Sequence, residues 1–91
     1  MILITTYRIK PFLNPDETKQ LLETFGREGP GPGATAHYVA ADGSHGVVIS
    51  DTDDVAGGYR NIQNYTQWVE YETKVMLKID EAVPLIMDAL A

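Results

Sequence analysis

Polar and aromatic residues in the second half of the chain are the first candidates for a small-molecule site. Asn64 and Trp68 are four positions apart in a segment whose pattern predicts a helix, so they share one face of it, and Asn61 lies one turn earlier. Together with Tyr71 on the following predicted strand, they are expected to line a cavity between helix and sheet. The alternative is structural: Trp68 is a core residue at the end of the helix, and both asparagines face solvent.

The two histidines, His37 and His45, fall on the two strands of one predicted hairpin. Asp42 lies between them, so either histidine could act as a general base or as the axial ligand of a haem. The alternative is an exposed histidine beside the hairpin turn. Ser44 and His45 are expected to point to opposite faces of a strand and not to form a nucleophile and base pair. Two histidines do not make a metal triad, so no metal site and no cofactor are predicted.

Two further segments suggest ion or phosphate binding, but their spacing excludes it. The acidic segment 51–54 fails the calcium-loop pattern, with Ala56 where glycine is needed and Ile62 where the bidentate glutamate belongs. Its carboxylates are instead expected to stabilise a helix start. The glycines of residues 29–33 precede a predicted strand, whereas a phosphate-binding loop follows a strand and opens a helix.

Composition and charge restrict the remaining classes of function. The chain of 91 residues has no cysteine, which excludes disulfides and thiolate metal sites, and its length predicts one domain over residues 1–91. Thirteen acidic and seven scattered basic residues give a net charge of −6, so nucleic-acid binding is not expected. The longest apolar run, Met1–Ile4, is far below the ~18 residues of a membrane span. No membrane association is predicted, and the expected location is the cytoplasm.

The start of the chain predicts a strand followed by a capped helix. Residues 2–9 are rich in β-branched and aromatic side chains, which favours a strand, expected in the centre of a sheet. Asn14, Pro15 and Glu17 supply the cap, the first-turn proline and the capping-box glutamate of a helix. Gly26 is expected to end that helix in a left-handed conformation.

A hairpin and a second helix come next. Residues 34–41 and 45–52 are expected to pair as antiparallel strands around the turn at residues 42–44. The second helix is expected to begin at a cap formed by Asp53 or Asp54. Its apolar stripe extends through Val55, Tyr59, Ile62, Thr66 and Val69.

The remaining segments complete a ferredoxin-like α+β fold. Residues 70–79 alternate as a strand, and Asp80 is expected to cap a short helix that ends at Leu90. The order βαββαβ with a short C-terminal helix predicts a four-stranded antiparallel sheet with helices on one face. Since strand 2–9 is partly apolar on both sides, the other face is expected to be covered by a second copy of the sheet in a homodimer.

Several short segments give the chain a resemblance to the dimeric α+β barrel superfamily. They are Gly33, the turn 42–44, residues 50–54, and residues 65–75 leading to 79–82. Within that superfamily the chain resembles a small domain-of-unknown-function family from actinobacteria, cyanobacteria and phages. The superfamily includes cofactor-independent monooxygenases, haem-degrading enzymes and stress-response modules, so the fold alone does not select a function.

Two functions are compatible with this resemblance. The first is a homodimeric interaction or small-ligand-binding module without established catalysis. The alternative is a cofactor-independent monooxygenase-like enzyme acting on a small aromatic substrate, because the spacing of Asn64 and Trp68 resembles that of such enzymes. These enzymes also place a tyrosine and an arginine in the cavity, for which Arg8 and the tyrosines are candidates by type only. A cavity lined by Trp68 and an asparagine would favour the enzyme. The candidate ligand-binding residues are Tyr7, Tyr38, Asn61, Asn64, Trp68 and Tyr71, with His37 and His45 as further candidates.

Overall fold

The computed structural model describes residues 1–91 and contains four strands and three helices. The strands form one four-stranded antiparallel sheet. This arrangement confirms the predicted ferredoxin-like α+β fold. In chain order the elements are β1 (Ile2–Ile9), α1 (Pro15–Glu28), β2 (Ala34–Val39), β3 (His45–Asp51), α2 (Val55–Ile62), β4 (Val69–Met76) and α3 (Ile79–Leu90).

Strand β1 lies in the centre of the sheet, as predicted. At its midpoint Ile4 is paired with Ile49 of β3 on one side and with Lys74 of β4 on the other. Strands β2 and β4 are the two edges. Since neighbouring residues of a strand point to opposite faces, the odd-numbered residues of β1 face the helices and the even-numbered ones face away.

Helix α1 begins as predicted but ends later than predicted. The Asn14 side chain accepts a hydrogen bond from the Glu17 amide at 2.8 Å, and the Glu17 carboxylate accepts one from the Asn14 amide at 3.3 Å. The prediction that Gly26 ends the helix is wrong, because α1 continues to Glu28. The residue that leaves the helix is Gly29, whose φ of 72° is in the left-handed region that favours glycine.

Helix α2 is shorter than predicted, and this changes the geometry of the first candidate residues. Its start is confirmed, since the Asp54 carboxylate accepts from the Gly57 amide at 2.8 Å. The helix ends at Ile62, and residues 63–68 form successive tight turns. The prediction that Asn64 and Trp68 share a helix face is therefore wrong.

Strand β4 and helix α3 also differ from the predicted boundaries. The strand ends at Met76, and the helix begins at Ile79 after Lys78, which is extended and makes no side-chain cap. None of the side chains of α3 is buried, and the longest dimension of the molecule is 57 Å. The exposed apolar residues of α3 are Ile79, Val83, Leu85, Ile86, Met87 and Leu90.

The two faces of the sheet have different surroundings. The face toward α1 and α2 carries the buried residues Leu3, Val48 and Val69. The opposite face, called the open face below, is covered by no other part of the chain. Its half-buried apolar residues are Ile2, Ile4, Ala36, Val47 and Ile49. None of the three helices combines the length and the apolar character needed to cross a membrane.

Candidate functional site

A cavity of about 740 Å³ lies between the helix-facing side of the sheet and helices α1 and α2. It exists because short side chains occupy the middle of this side of the sheet. Thr5, Ser50 and Thr73 line it there, and Leu21 and Phe25 of α1 line it from above. Residues 29–32 form one end of the lining, where the chain leaves α1. Of the 26 lining residues, 15 are hydrophobic, so the cavity is mainly apolar.

Five aromatic rings form a continuous row along the cavity wall, called the aromatic row below. Phe25 and His37 have ring centroids 5.4 Å apart, and those of His37 and Tyr7 are 5.5 Å apart. The row continues from Tyr7 to Tyr71 at 6.0 Å and from Tyr71 to Tyr65 at 6.5 Å. Three of these four contacts are edge-to-face, the geometry that the ring quadrupoles favour.

A hydrogen bond of 2.6 Å joins the Tyr7 hydroxyl to Nε2 of His37 in the middle of the aromatic row. Strand β3 lies between the strands that carry these two residues. Tyr7 reaches across it because its partner in the register is Gly46, which has no side chain to block the phenol. Burial raises the pKa of the Tyr7 hydroxyl above its ordinary value, so the phenol is neutral at physiological pH.

The other two tyrosines of the row are also kept neutral. Burial, followed by the neighbouring Tyr65 and Tyr7, raises the pKa of the Tyr71 hydroxyl far above its ordinary value. Burial also raises the pKa of Tyr65. The Tyr65 hydroxyl donates to the carbonyl oxygen of Gly29 at 2.7 Å, which fixes the end of α1 against the turns that precede β4.

Four of the residues proposed from the sequence line the cavity. Tyr7 and Tyr71 belong to the aromatic row, and His37, one of the further candidates, lies between Phe25 and Tyr7 in it. Asn61 lines the cavity near Gly31, and its side-chain amide donates to the carbonyl oxygen of Gly29 at 3.3 Å. Their role in ligand binding stays a prediction.

The structure places the other candidates outside the cavity. Tyr38 lies on the open face and is 64% exposed. Asn64 is exposed, and its amide donates to the Asn61 carbonyl at 3.1 Å. Trp68 is 4% exposed and packs in a core with Tyr65 and Val69, without lining the cavity. Trp68 is therefore a core residue and Asn64 faces solvent, as the structural alternative to a cavity-lining role stated.

His45 is the first residue of β3, directly after the hairpin turn, and is exposed. Its Nδ1 is 2.8 Å from the Ser44 hydroxyl, which is itself 2.7 Å from a carboxylate oxygen of Asp42. The expectation that Ser44 and His45 point apart is wrong, because Ser44 precedes the strand and strand alternation does not apply to it. Hydrogen bonds from the Ser44 hydroxyl and amide lower the pKa of Asp42. The cluster stabilises the turn that joins β2 to β3.

Sequence reasoning missed Phe25 and Tyr65 as members of the wall. Phe25 was not among the candidate residues, and Tyr65 appeared only within a segment of family resemblance. The alternation of β1 contained a usable signal, since Leu3, Thr5 and Tyr7 share one side of the strand and all line the cavity.

The charge on the cavity wall limits the chemistry that it supports. No aspartate, glutamate, lysine or arginine is among the lining residues, and His37 is the only one that could carry a positive charge. No group of three or more histidine, aspartate or glutamate side chains is placed to hold a metal ion. The wall therefore offers apolar contacts, aromatic rings and neutral hydrogen-bonding groups.

The fold and the cavity define a ferredoxin-like α+β domain with an apolar pocket between its sheet and its helices. The family described as "Domain of unknown function (DUF3303)" matches residues 1–90, and the chain belongs to this family. No curated protein matches the chain.

Proposed function

We propose that the protein is a small-ligand-binding module that works as a homodimer. The observation that carries the ligand-binding part is the cavity of about 740 Å³ with its mainly apolar wall. This volume falls within the range of about 300–1,000 Å³ that is usual for small-molecule sites. The expected cytoplasmic location stays a prediction from the sequence.

An apolar cavity of this size favours occupation by a ligand over an empty state. The cavity opens to solvent, and exposed apolar side chains such as Leu22, Tyr59 and Val75 belong to its wall, so a ligand would remove apolar surface from water. Water gains few hydrogen bonds from this wall, because 15 of the 26 lining residues are hydrophobic. A small, mainly apolar molecule can cover the apolar wall and needs few polar partners.

Placing a larger side chain in the cavity is expected to weaken ligand binding. Thr73 points into the cavity from β4, and Thr73→Trp places an indole in the space that a ligand would use. The affinity for the uncharged fluorescent dye phenylnaphthylamine is expected to fall by about tenfold or more, because the indole takes space that the dye needs. Dye fluorescence measured against protein concentration gives both affinities.

The neighbouring residue of the same strand supplies a matched control. Glu72→Trp introduces the same side chain on the opposite side of β4, where the open face is charged, and is expected to bind the dye as the parent chain does. Circular dichroism verifies that both variants are folded. Equal dye binding by the parent chain and Thr73→Trp would refute a ligand site in the cavity, as would no binding to the parent chain.

The homodimer is supported by the apolar open face. Ile4 and Ile49 are paired in the centre of this face, and Ala36 is paired with Ile49 on the far side. Along β4 the open face is charged, with Lys74 paired to Ile4 and Glu72 paired to Thr6. An exposed apolar sheet surface favours burial against the same surface of a second copy in a two-fold arrangement.

Helix α3 is a second apolar element without a partner in its own chain. None of its side chains is buried, although six of its twelve residues are exposed large hydrophobic residues. An isolated helix of this length is marginal in water and gains stability mainly from packing. Association of two chains offers such packing, and this supports the homodimer independently of the open face.

A charge in the centre of the open face is expected to dissociate the dimer. Ile49→Lys places an ammonium group between Ile4 and Ala36, where pairing with a second copy would bury it without a partner. Light scattering at micromolar concentration is expected to give about twice 10.0 kDa for the parent chain and 10.0 kDa for the variant. Thr6→Lys, paired with Glu72 of β4, is expected to remain dimeric. A parent chain of 10.0 kDa would contradict the homodimer.

The monooxygenase-like alternative receives less support from the same cavity. It requires a cavity lined by a tryptophan and an asparagine, and only Asn61 meets this condition, because Trp68 lies in the core. A binding module needs neither residue in a catalytic role. We therefore propose ligand binding and no reaction.

A further inference from the structure

We infer that the ligand of the cavity is an uncharged planar aromatic molecule that carries a hydroxyl group, with its ring against the aromatic row and its hydroxyl on the Tyr7 and His37 pair. This inference rests on the proposed function, because it names the chemical class of the molecule that the cavity binds. Charge, ring packing and hydrogen bonding each contribute to it independently.

The absence of charge on the wall selects against charged ligands. A carboxylate, phosphate or ammonium group that packs against the wall gives up part of its hydration shell, and no lysine, arginine, aspartate or glutamate lines the wall to compensate it. Only His37 could pair with an anion, and only in its protonated form. A neutral ligand avoids this desolvation cost.

The aromatic row selects for a planar aromatic ring over a saturated one. Its centroid separations of 5.4 to 6.5 Å are those of favourable aromatic pairs. A ligand ring placed against the row can pair with it in the same edge-to-face or tilted geometry. A saturated ring of the same size fills similar volume but has no quadrupole to complement those of the row.

The Tyr7 and His37 pair selects for a hydroxyl group on that ring. The hydrogen bond between them uses one donor or acceptor site on each residue. A further site on the Tyr7 hydroxyl and the Nδ1 atom of His37 remain for a ligand. A ligand hydroxyl both donates and accepts hydrogen bonds, so it can bond to either of these two sites. The pair lies in the middle of the aromatic row, within reach of a ring that packs against the row.

Three probes that share one bicyclic skeleton test the arguments from charge and from ring packing. Naphthol is an uncharged aromatic alcohol, naphthoate is its charged counterpart, and decahydronaphthol is its saturated counterpart. At neutral pH, calorimetric titration of the full chain is expected to give an affinity for naphthol about tenfold above that for each of the other two. Equal or tighter binding of naphthoate or decahydronaphthol would overturn the inference.

Variants of two tyrosines localise the hydroxyl. Tyr7→Phe removes the phenol oxygen and is expected to weaken naphthol binding by about fivefold, with naphthalene binding changed by less than about twofold. Tyr38→Phe, on the open face, is the matched control and is expected to leave both affinities unchanged. An equal loss of naphthol and naphthalene binding in Tyr7→Phe would contradict a hydroxyl-specific contact.

The dye experiment separates failure of this inference from failure of the proposed function. If Thr73→Trp weakens phenylnaphthylamine binding, but naphthol binds no more tightly than naphthoate or decahydronaphthol, the cavity is a site for a ligand of another chemical class. If neither the dye nor any probe binds, the proposed function and this inference both fail.

Discussion

Replacing Trp68 with alanine is expected to lower the free energy of unfolding by about 3–5 kcal/mol, the usual cost of deleting a buried aromatic side chain. Trp68 is 4% exposed and forms the core with Tyr65 and Val69, against which Leu13 and Leu21 also pack. Few other residues of the chain are buried to this extent. The loss is a large part of the roughly 5–15 kcal/mol that stabilises a small domain. Urea unfolding followed by circular dichroism measures it.

Two further variants make the Trp68 result interpretable. Trp68→Phe retains part of the buried surface and is expected to lose less stability than alanine does, which gives a measurement even if the alanine variant does not fold. Gln67→Ala changes the exposed neighbour and is expected to alter the stability by less than about 0.5 kcal/mol. A loss below about 1 kcal/mol for Trp68→Ala would show that Trp68 is not a core residue.

Adding a single methyl group at Gly46 is expected to destabilise the protein by about 1–3 kcal/mol and to weaken naphthol binding. A Cβ atom at Gly46 would collide with the phenol of Tyr7 and would lie 2.7 Å from the backbone oxygen of Tyr38. Because Tyr7 must then move, its hydrogen bond to His37 is lost. Urea unfolding and calorimetric titration with naphthol measure the two effects of Gly46→Ala.

Gly26 provides the matched control for this change. It lies in α1, where an added Cβ meets nothing within 4 Å, so Gly26→Ala is expected to raise the stability by about 1 kcal/mol through helix propensity. Naphthol affinity should be unchanged in this variant. If Gly46→Ala is as stable as the parent chain and binds naphthol equally, the glycine does not position Tyr7.

The features that were predictable from the sequence are those set by local chemistry. The capping box of Asn14 and Glu17 and the cap at Asp54 each involve residues within one helical turn, so their types and spacing are sufficient. The strand β1 and its central position were predicted from the β-branched and aromatic residues of segment 2–9. These local signals and the order of the elements were enough for the fold.

The ends of the helices were not predictable because contacts distant in the chain determine them. Gly26 and Gly29 are both able to end α1, and Gly29 does so where Asn61 and Tyr65 bind its carbonyl oxygen. The end of α2 similarly depends on β4, which begins at Val69 opposite Ile9 of β1.

The candidate site was predictable only in part, for a similar reason. Asn61 and Tyr71 were identified by residue type. Trp68, which was predicted to line the cavity with them, packs in the core. The Tyr7 and His37 bond depends on the register of three strands and on the missing side chain of Gly46 between them. No local pattern contains that information, so the residues were candidates whose contact could not be foreseen.

Under the proposed homodimer, the amides of the unpacked helix α3 are expected to respond to association of the chains. Pro84 in its interior has no amide hydrogen, so one helical bond is missing from an element that already lacks packing. In dilute solution the α3 amides should exchange their hydrogens with deuterated water almost as fast as an unstructured peptide does. Raising the protein concentration should slow this hydrogen exchange. The C-terminal residues would then report the onset of association before any other segment does.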